Sequence, residues 1–147
     1  MINELLSEEL VATDLAGESK EDVIRALFDV LKRSGKIKDP ETALQDLLAS
    51  EARMSTGMEN GIAIPHAKTD AVDELVACVG VSKTKIEFEC IDNKPAQIFI
   101  MTLSPKDGTG PHVRFLAEIG RLLKDKNKRK KMLAAKTPSE LLAVITA

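Results

Sequence analysis

The spacing of apolar residues changes period twice along this chain, and that change limits the fold more than any other feature. In "SKEDVIRALFDVLKRSG" Val23, Leu27, Val30 and Leu31 recur at helical spacing, with Ser19 and Asp22 as a start signal and Gly35 as a stop. "DPETALQDLLASEA" predicts a second helix, with Asp39 as N-cap and Pro40 at the first helical position. The pattern then shortens. "ELVACVGVS", "KIEFECI" and "AQIFIMTLSP" are rich in Val, Ile, Phe and Cys and have the length of strands. Asp92, Asn93, Lys94 and Pro95 mark a turn between the last two. "IAI" at 62–64 is a fourth candidate strand, which must end by Pro65 because proline has no N–H for a ladder.

The tail returns to helical spacing. "PHVRFLAEIGRLLKD" puts Phe115, Leu116, Ile119, Leu122 and Leu123 on one face, and "NKRKKMLAA" and "TPSELLAVIT" follow, the last with Thr137 as cap and Pro138 at its first position. Helices, then strands, then helices predict an α/β layered domain around a small mixed β-sheet. At 147 residues, with no repeat or linker, one domain is expected to cover 1–147.

Composition excludes several function classes. Four Phe with no Trp or Tyr leave no platform for stacking bases, and 21 basic against 23 acidic residues give a net charge of −2, so nucleic acid is not an expected partner. The basic run "KDKNKRKK" at 124–131 reads as a solvated junction between helices. Cys78 and Cys90 lie in apolar, strand-like runs with no zinc spacing, as buried reduced thiols of a cytosolic protein would. The N-terminus carries acid before any apolar run, unlike a signal peptide, and no segment has the length of a membrane span. The expectation is a cytoplasmic protein, not membrane-embedded, with no cofactor and no metal.

The chain has two histidines. His66 follows Pro65, which fixes φ near −65° and so presents the side chain from a rigid backbone at a strand end. Gly57 and Gly61, with Ser55 and Thr56 upstream, allow backbone N–H groups to approach a ligand closely. A neutral imidazole, pKa about 6.5, is a nucleophile at cytosolic pH. Pro111 suits a first helical position, which puts His112 in the first turn, on the face of Phe115 and Leu116. Taken alone, each has a blander reading: a surface histidine beside a turn proline, and a helix-start histidine satisfied by backbone. No zinc ligand set, phosphate-cradling glycine loop, dinucleotide fingerprint or nucleophile elbow is present.

The stretch "STGMENGIAIPHAKTDAV" resembles the phosphohistidine motif of type-2 EIIA domains, in the fructose, mannitol and nitrogen-related branches of the bacterial phosphotransferase system. "SKEDVIRALFDVLKRSGKIKD", "IDNKPAQIFIMTLSP" and "HVRFLAEIGRLLKD" resemble that family's first helix, central hairpin and second-histidine helix, so the resemblance covers essentially the whole chain. It implies a mixed sheet sandwiched by helices and a phosphotransferase component without cofactor or metal. His66 would take the phosphoryl group from phospho-HPr and pass it to an EIIB partner, and His112 would assist. The alternative it implies is a nitrogen-type regulator whose phosphorylation controls binding to target proteins. One position departs: where the family carries arginine in "R-E-x-x-x-S-T", this chain has Ser50, with Glu51 retained and an arginine three residues later, Arg53. On a continuing helix residues 50 and 53 share a face, so Arg53 is the expected phosphate ligand in its place, with Ser55, Thr56, Gly57 and Gly61.

Overall fold

Local capping sets the helices where the sequence puts them. The computed structural model describes residues 1–147. A single turn, α1 (Ile2–Leu5), precedes a 3-10 turn and the two-residue strand β1 (Val11–Ala12). Segments this short carry no period, and neither α1 nor β1 was expected. α2 (Lys20–Leu31) starts where the Ser19 side chain accepts from the Asp22 N–H, and the chain leaves its last turn at Gly35, φ 70°. α3 (Pro40–Arg53) starts where Asp39 accepts from the Thr42 N–H.

Four more strands follow: β2 (Ile62–Ala63), β3 (His66–Lys68), β4 (Val76–Ile86) and β5 (Ala96–Ser104). β4 and β5 form an antiparallel hairpin, Val76 opposite Leu103 and Ile86 opposite Ala96. β1 runs parallel to β4 on one side, and β2 and β3 run parallel to β5 on the other. α4 (Gly110–Lys124), α5 (Lys126–Ala134) and α6 (Pro138–Thr146) complete the chain, with Thr137 capping α6 through the Glu140 N–H. The basic run at 124–131 straddles the α4–α5 junction, as its composition predicted.

The sheet lies between helices, because alternate β4 side chains face opposite layers. On one face the Cys78 thiol donates to the Leu27 carbonyl of α2, and a Cβ on Gly80 would sit 2.4 Å from Leu15 Cδ1. From the other face Lys83 Nζ donates to the carbonyls of Leu133 and Ala135, at the end of α5. A core of 39 buried apolar residues runs through these layers. The mixed sheet sandwiched by helices is the fold that the sequence predicted. Both cysteines are free and buried, and burial pushes the Cys78 thiol pKa up.

Two strand predictions need correction. "KIEFECI" is not a strand of its own: only Lys85 and Ile86 belong to one, the end of β4. Its alternation is real, since Ile86, Phe88 and Cys90 are buried and Glu87 and Glu89 exposed. The backbone satisfies it by packing instead of pairing, with Glu89 at φ 55° and the Phe88 carbonyl taken by the Ser55 hydroxyl. The second correction is at Pro65. The strand does not end there: Ile62 faces Ile98 and His66 faces Thr102, so β2 and β3 keep one register across the proline. Only one donor is missing, and the Pro65 carbonyl still accepts from the Thr102 N–H. His66 therefore opens a strand instead of sitting in a loop.

Candidate active site

Strand register brings the two histidines together. His66 pairs with Thr102 across β3 and β5, so their side chains share a face of the sheet. The Thr102 hydroxyl, buried, lies 3.0 Å from His112 Nε2 in the first turn of α4. The two rings come to 5.5 Å between centroids, tilted by 47°. His66 Nδ1 is 2.8 Å from the Ile64 carbonyl oxygen. A carbonyl only accepts, so in the neutral ring the proton is on Nδ1 and the lone pair on Nε2. Burial, with the His66 ring and Lys68 nearby, holds the His112 pKa below its usual 6.5, so this ring is neutral at pH 7.

A cavity of about 530 Å³ opens at His66 between the end of α3 and α4. Ser50, Arg53, Met54, Ser55 and Thr56 line it from α3 and the loop after it, and Met58, Ile64 and Leu116 complete it. Residues 50 and 53 do share the expected face. Arg53 is exposed and takes part in none of the ion pairs of this structure, so its guanidinium is uncommitted. Lys68, two residues along β3, projects from the same face as His66. Met54 and Met58 are exposed apolar side chains on the lining of this cavity.

The other expected phosphate ligands are placed differently. Thr56 lines the cavity, but its N–H and its hydroxyl both go to the Glu51 carboxylate, at 2.8 and 2.6 Å. The Ser55 hydroxyl bonds the Phe88 carbonyl and accepts from the Gly57 N–H. Gly57 is needed for another reason: a Cβ there would lie 2.7 Å from the Phe88 carbonyl oxygen. Gly61, φ 76°, gives its carbonyl to the Gln97 and Ile98 N–H groups and faces a different cavity beside Lys126 and Arg129. The Thr56 and Gly57 N–H groups and the Ser55 and Thr56 hydroxyls are thus taken by protein partners, whereas the Arg53 guanidinium is free to meet an anion.

Four residues at or behind the site escaped the sequence reading: Lys20, Thr102, Lys68 and the function of Glu51. Lys20 Nζ lies 2.8 Å from Glu51 Oε2 and 3.1 Å from Glu89, and stands over the Phe88 ring at 5.0 Å. Burial alone would lower the Lys20 pKa; hydrogen bonds and attraction from Glu51 and Glu89 outweigh it and raise the pKa. The Glu51 side chain is only 4% exposed. Removing Lys20 would leave this buried carboxylate without its counter-charge, at a cost of about 3–5 kcal/mol. No sequence signal links residues 20, 51 and 89. Thr102 could have been found by pairing His66 with the middle of β5. No three His, Cys, Asp or Glu side chains group as a metal site.

A lone-pair imidazole and a free guanidinium on one cavity, with a second neutral imidazole beside the first, suit an anionic group that is transferred. The family model for the "phosphoenolpyruvate-dependent sugar phosphotransferase system, EIIA 2" matches residues 4–147. The chain belongs to this family. Among its relatives is a fructose-specific EIIA component of the phosphotransferase system from Haloferax volcanii, 34% identical over 137 residues, with 93% of this chain and 89% of that protein covered. A fructose-specific EIIABC component from Bacillus subtilis is 31% identical over 144 residues. That match takes in 98% of this chain, which spans only 23% of the larger protein's length. In fold, the EIIA chain resembles the crystal structure of the nitrogen regulatory protein IIA-Ntr from Neisseria meningitidis, with a TM-score of 0.88, 98% of each chain covered and 24% identity. EIIA domains are phosphotransferase components, and no helix of this one is long and apolar enough to cross a membrane.

Proposed function

We propose that this EIIA protein carries a phosphoryl group on His66 Nε2, taken from the phosphohistidine of HPr and passed to an EIIB partner in the cytoplasm. The observation that carries the reading is the 2.8 Å bond from His66 Nδ1–H to the Ile64 carbonyl, which leaves Nε2 as the nucleophile. Its lone pair forms the new N–P bond while the donor's N–P bond breaks in line and returns its electron pair to the donor imidazole. Little covalent chemistry is asked of the protein beyond this; positioning and charge compensation dominate such a transfer. Arg53 and Lys68 supply positive charge. With the Thr102 hydroxyl donating to His112 Nε2, His112 presents Nδ1–H to a phosphoryl oxygen. The exposed Met54 and Met58 at this cavity are the surface a protein donor or acceptor covers.

Incubation with EI, HPr and phosphoenolpyruvate, followed by intact mass, tests this. The expected product has one phosphoryl per chain, labile in acid and stable in base. No uptake, or phosphate found on His112, would overturn it. Uptake without onward transfer to any EIIB would favour the regulatory branch, in which the phosphoryl charge alters docking to a target protein.

A further inference from the structure

Behind His66 a run of hydrogen bonds leads away from the cavity into the buried end of α3. Lys20 Nζ bonds Glu51 Oε2, and the two Glu51 oxygens hold the Thr56 N–H and hydroxyl. The Thr56 carbonyl accepts from the Ile64 N–H at 3.1 Å. The Ile64 carbonyl then accepts from His66 Nδ1. Ile64 sits at the break between β2 and β3. The Pro65 carbonyl faces β5 and accepts from the Thr102 N–H, so the Ile64 carbonyl points to the opposite edge, where the His66 ring meets it. Its peptide is held on the N–H side by Thr56, and Thr56 is clamped by Glu51. We propose that Glu51, anchored by Lys20, is a positioning residue for phosphoryl transfer: through Thr56 and Ile64 it fixes the His66 tautomer with the proton on Nδ1.

The inference rests on His66 being the phosphoryl acceptor, and it explains two features that reading leaves open. A full negative charge is buried beside the active cavity although it touches neither histidine, and Thr56 spends both its donors on one carboxylate instead of on a ligand. The relay needs a side chain of this shape more than it needs the charge. Glutamine can keep it, with its oxygen on the Thr56 N–H and Lys20 and its NH₂ donating to Thr56 Oγ1. Alanine cannot.

Nitrogen-15 NMR of the unphosphorylated protein reads the His66 tautomer, and steady-state phosphorylation by phospho-HPr reads its consequence. The wild type is expected to hold the proton on Nδ1. Glu51→Ala is expected to give a mixture of tautomers and to lower kcat about tenfold with KM within about twofold, since misplacement of a catalytic group affects the chemical step. Glu51→Gln should keep the wild-type tautomer and rate. Thr56→Val should shift both readouts in the direction of Glu51→Ala, and Thr56→Ser should restore them. If Glu51→Ala fails to fold, the Thr56 pair decides. Folded variants that melt earlier yet keep the wild-type tautomer and kcat would reduce Glu51 to a structural residue and overturn the proposal. A wild type that takes up no phosphate would instead remove the function proposed for His66, while the tautomer measurement would still decide what Glu51 fixes.

Discussion

The two histidines of this site are held by different kinds of partner. His66 sits in a strand and donates to a backbone carbonyl, a group that can only accept. His112 sits in the first turn of a helix and bonds a threonine hydroxyl, which can donate or accept. The first arrangement allows one neutral tautomer and so one nucleophilic nitrogen. The second allows the ring to gain or lose a proton without losing its partner, because Thr102 can reverse its hydroxyl. A carrier needs both: a nucleophile fixed in advance, and a neighbour whose charge follows the phosphoryl as it comes and goes.

The largest expected effect breaks the comparison on the His66 side. His66→Ala should take phosphate incorporation from one per chain to none, by intact mass, with an unchanged circular dichroism spectrum because the ring is only half-buried. Next is the His112 side. His112→Ala should leave His66 able to accept, while onward transfer in a rapid-quench assay slows by about 10²–10³, the usual loss of one preorganised donor. A variant as fast as wild type would leave His112 a mere structural neighbour. Smaller again is the charge supply. Arg53→Ala should slow phosphorylation about tenfold, as loss of one charged hydrogen bond implies, while Ser50→Arg changes little. The opposite pair of results would show that the site lacks the cation it needs and that Arg53 does not replace it.

A finer test concerns the titration of His112. Its folded pKa lies below 6.5, so its contribution to stability is present above pH 6.5 and is lost as pH falls through the folded value. Thermal melts at pH 7.5 and 5.5 should therefore show an acid-side loss that His112→Gln reduces. A phosphoryl on His66 adds negative charge nearby and should raise the His112 pKa, which an NMR titration of the two forms would show as a shift to higher pH. The smallest effect is expected from Thr102→Val, about 1 kcal/mol of stability for one buried hydrogen bond, with His112 freed to change ring orientation.

Local features of the chain were legible in the sequence. Ser19, Asp39 and Thr137 cap the helices they were expected to cap, because a cap joins residues three apart. The histidine motif, the family and the layered fold could be read for the same reason: each is written in contiguous segments. Long-range closures could not be read. Glu89 lies 69 residues from Lys20, and the alternation around it resembled a strand until packing against Ser55 used its carbonyls instead of a ladder. Pro65 looked like the end of a strand because the sequence shows a missing donor and not the register that resumes beyond it. The residue types present near the site were thus determined by the sequence alone. Tertiary structure decided which of their donors remain free. Thr56 and Ser55 spend theirs on Glu51 and on the Phe88 loop, and His66 gives its Nδ1 proton to Ile64, because a buried polar group must find a partner wherever the chain brings one.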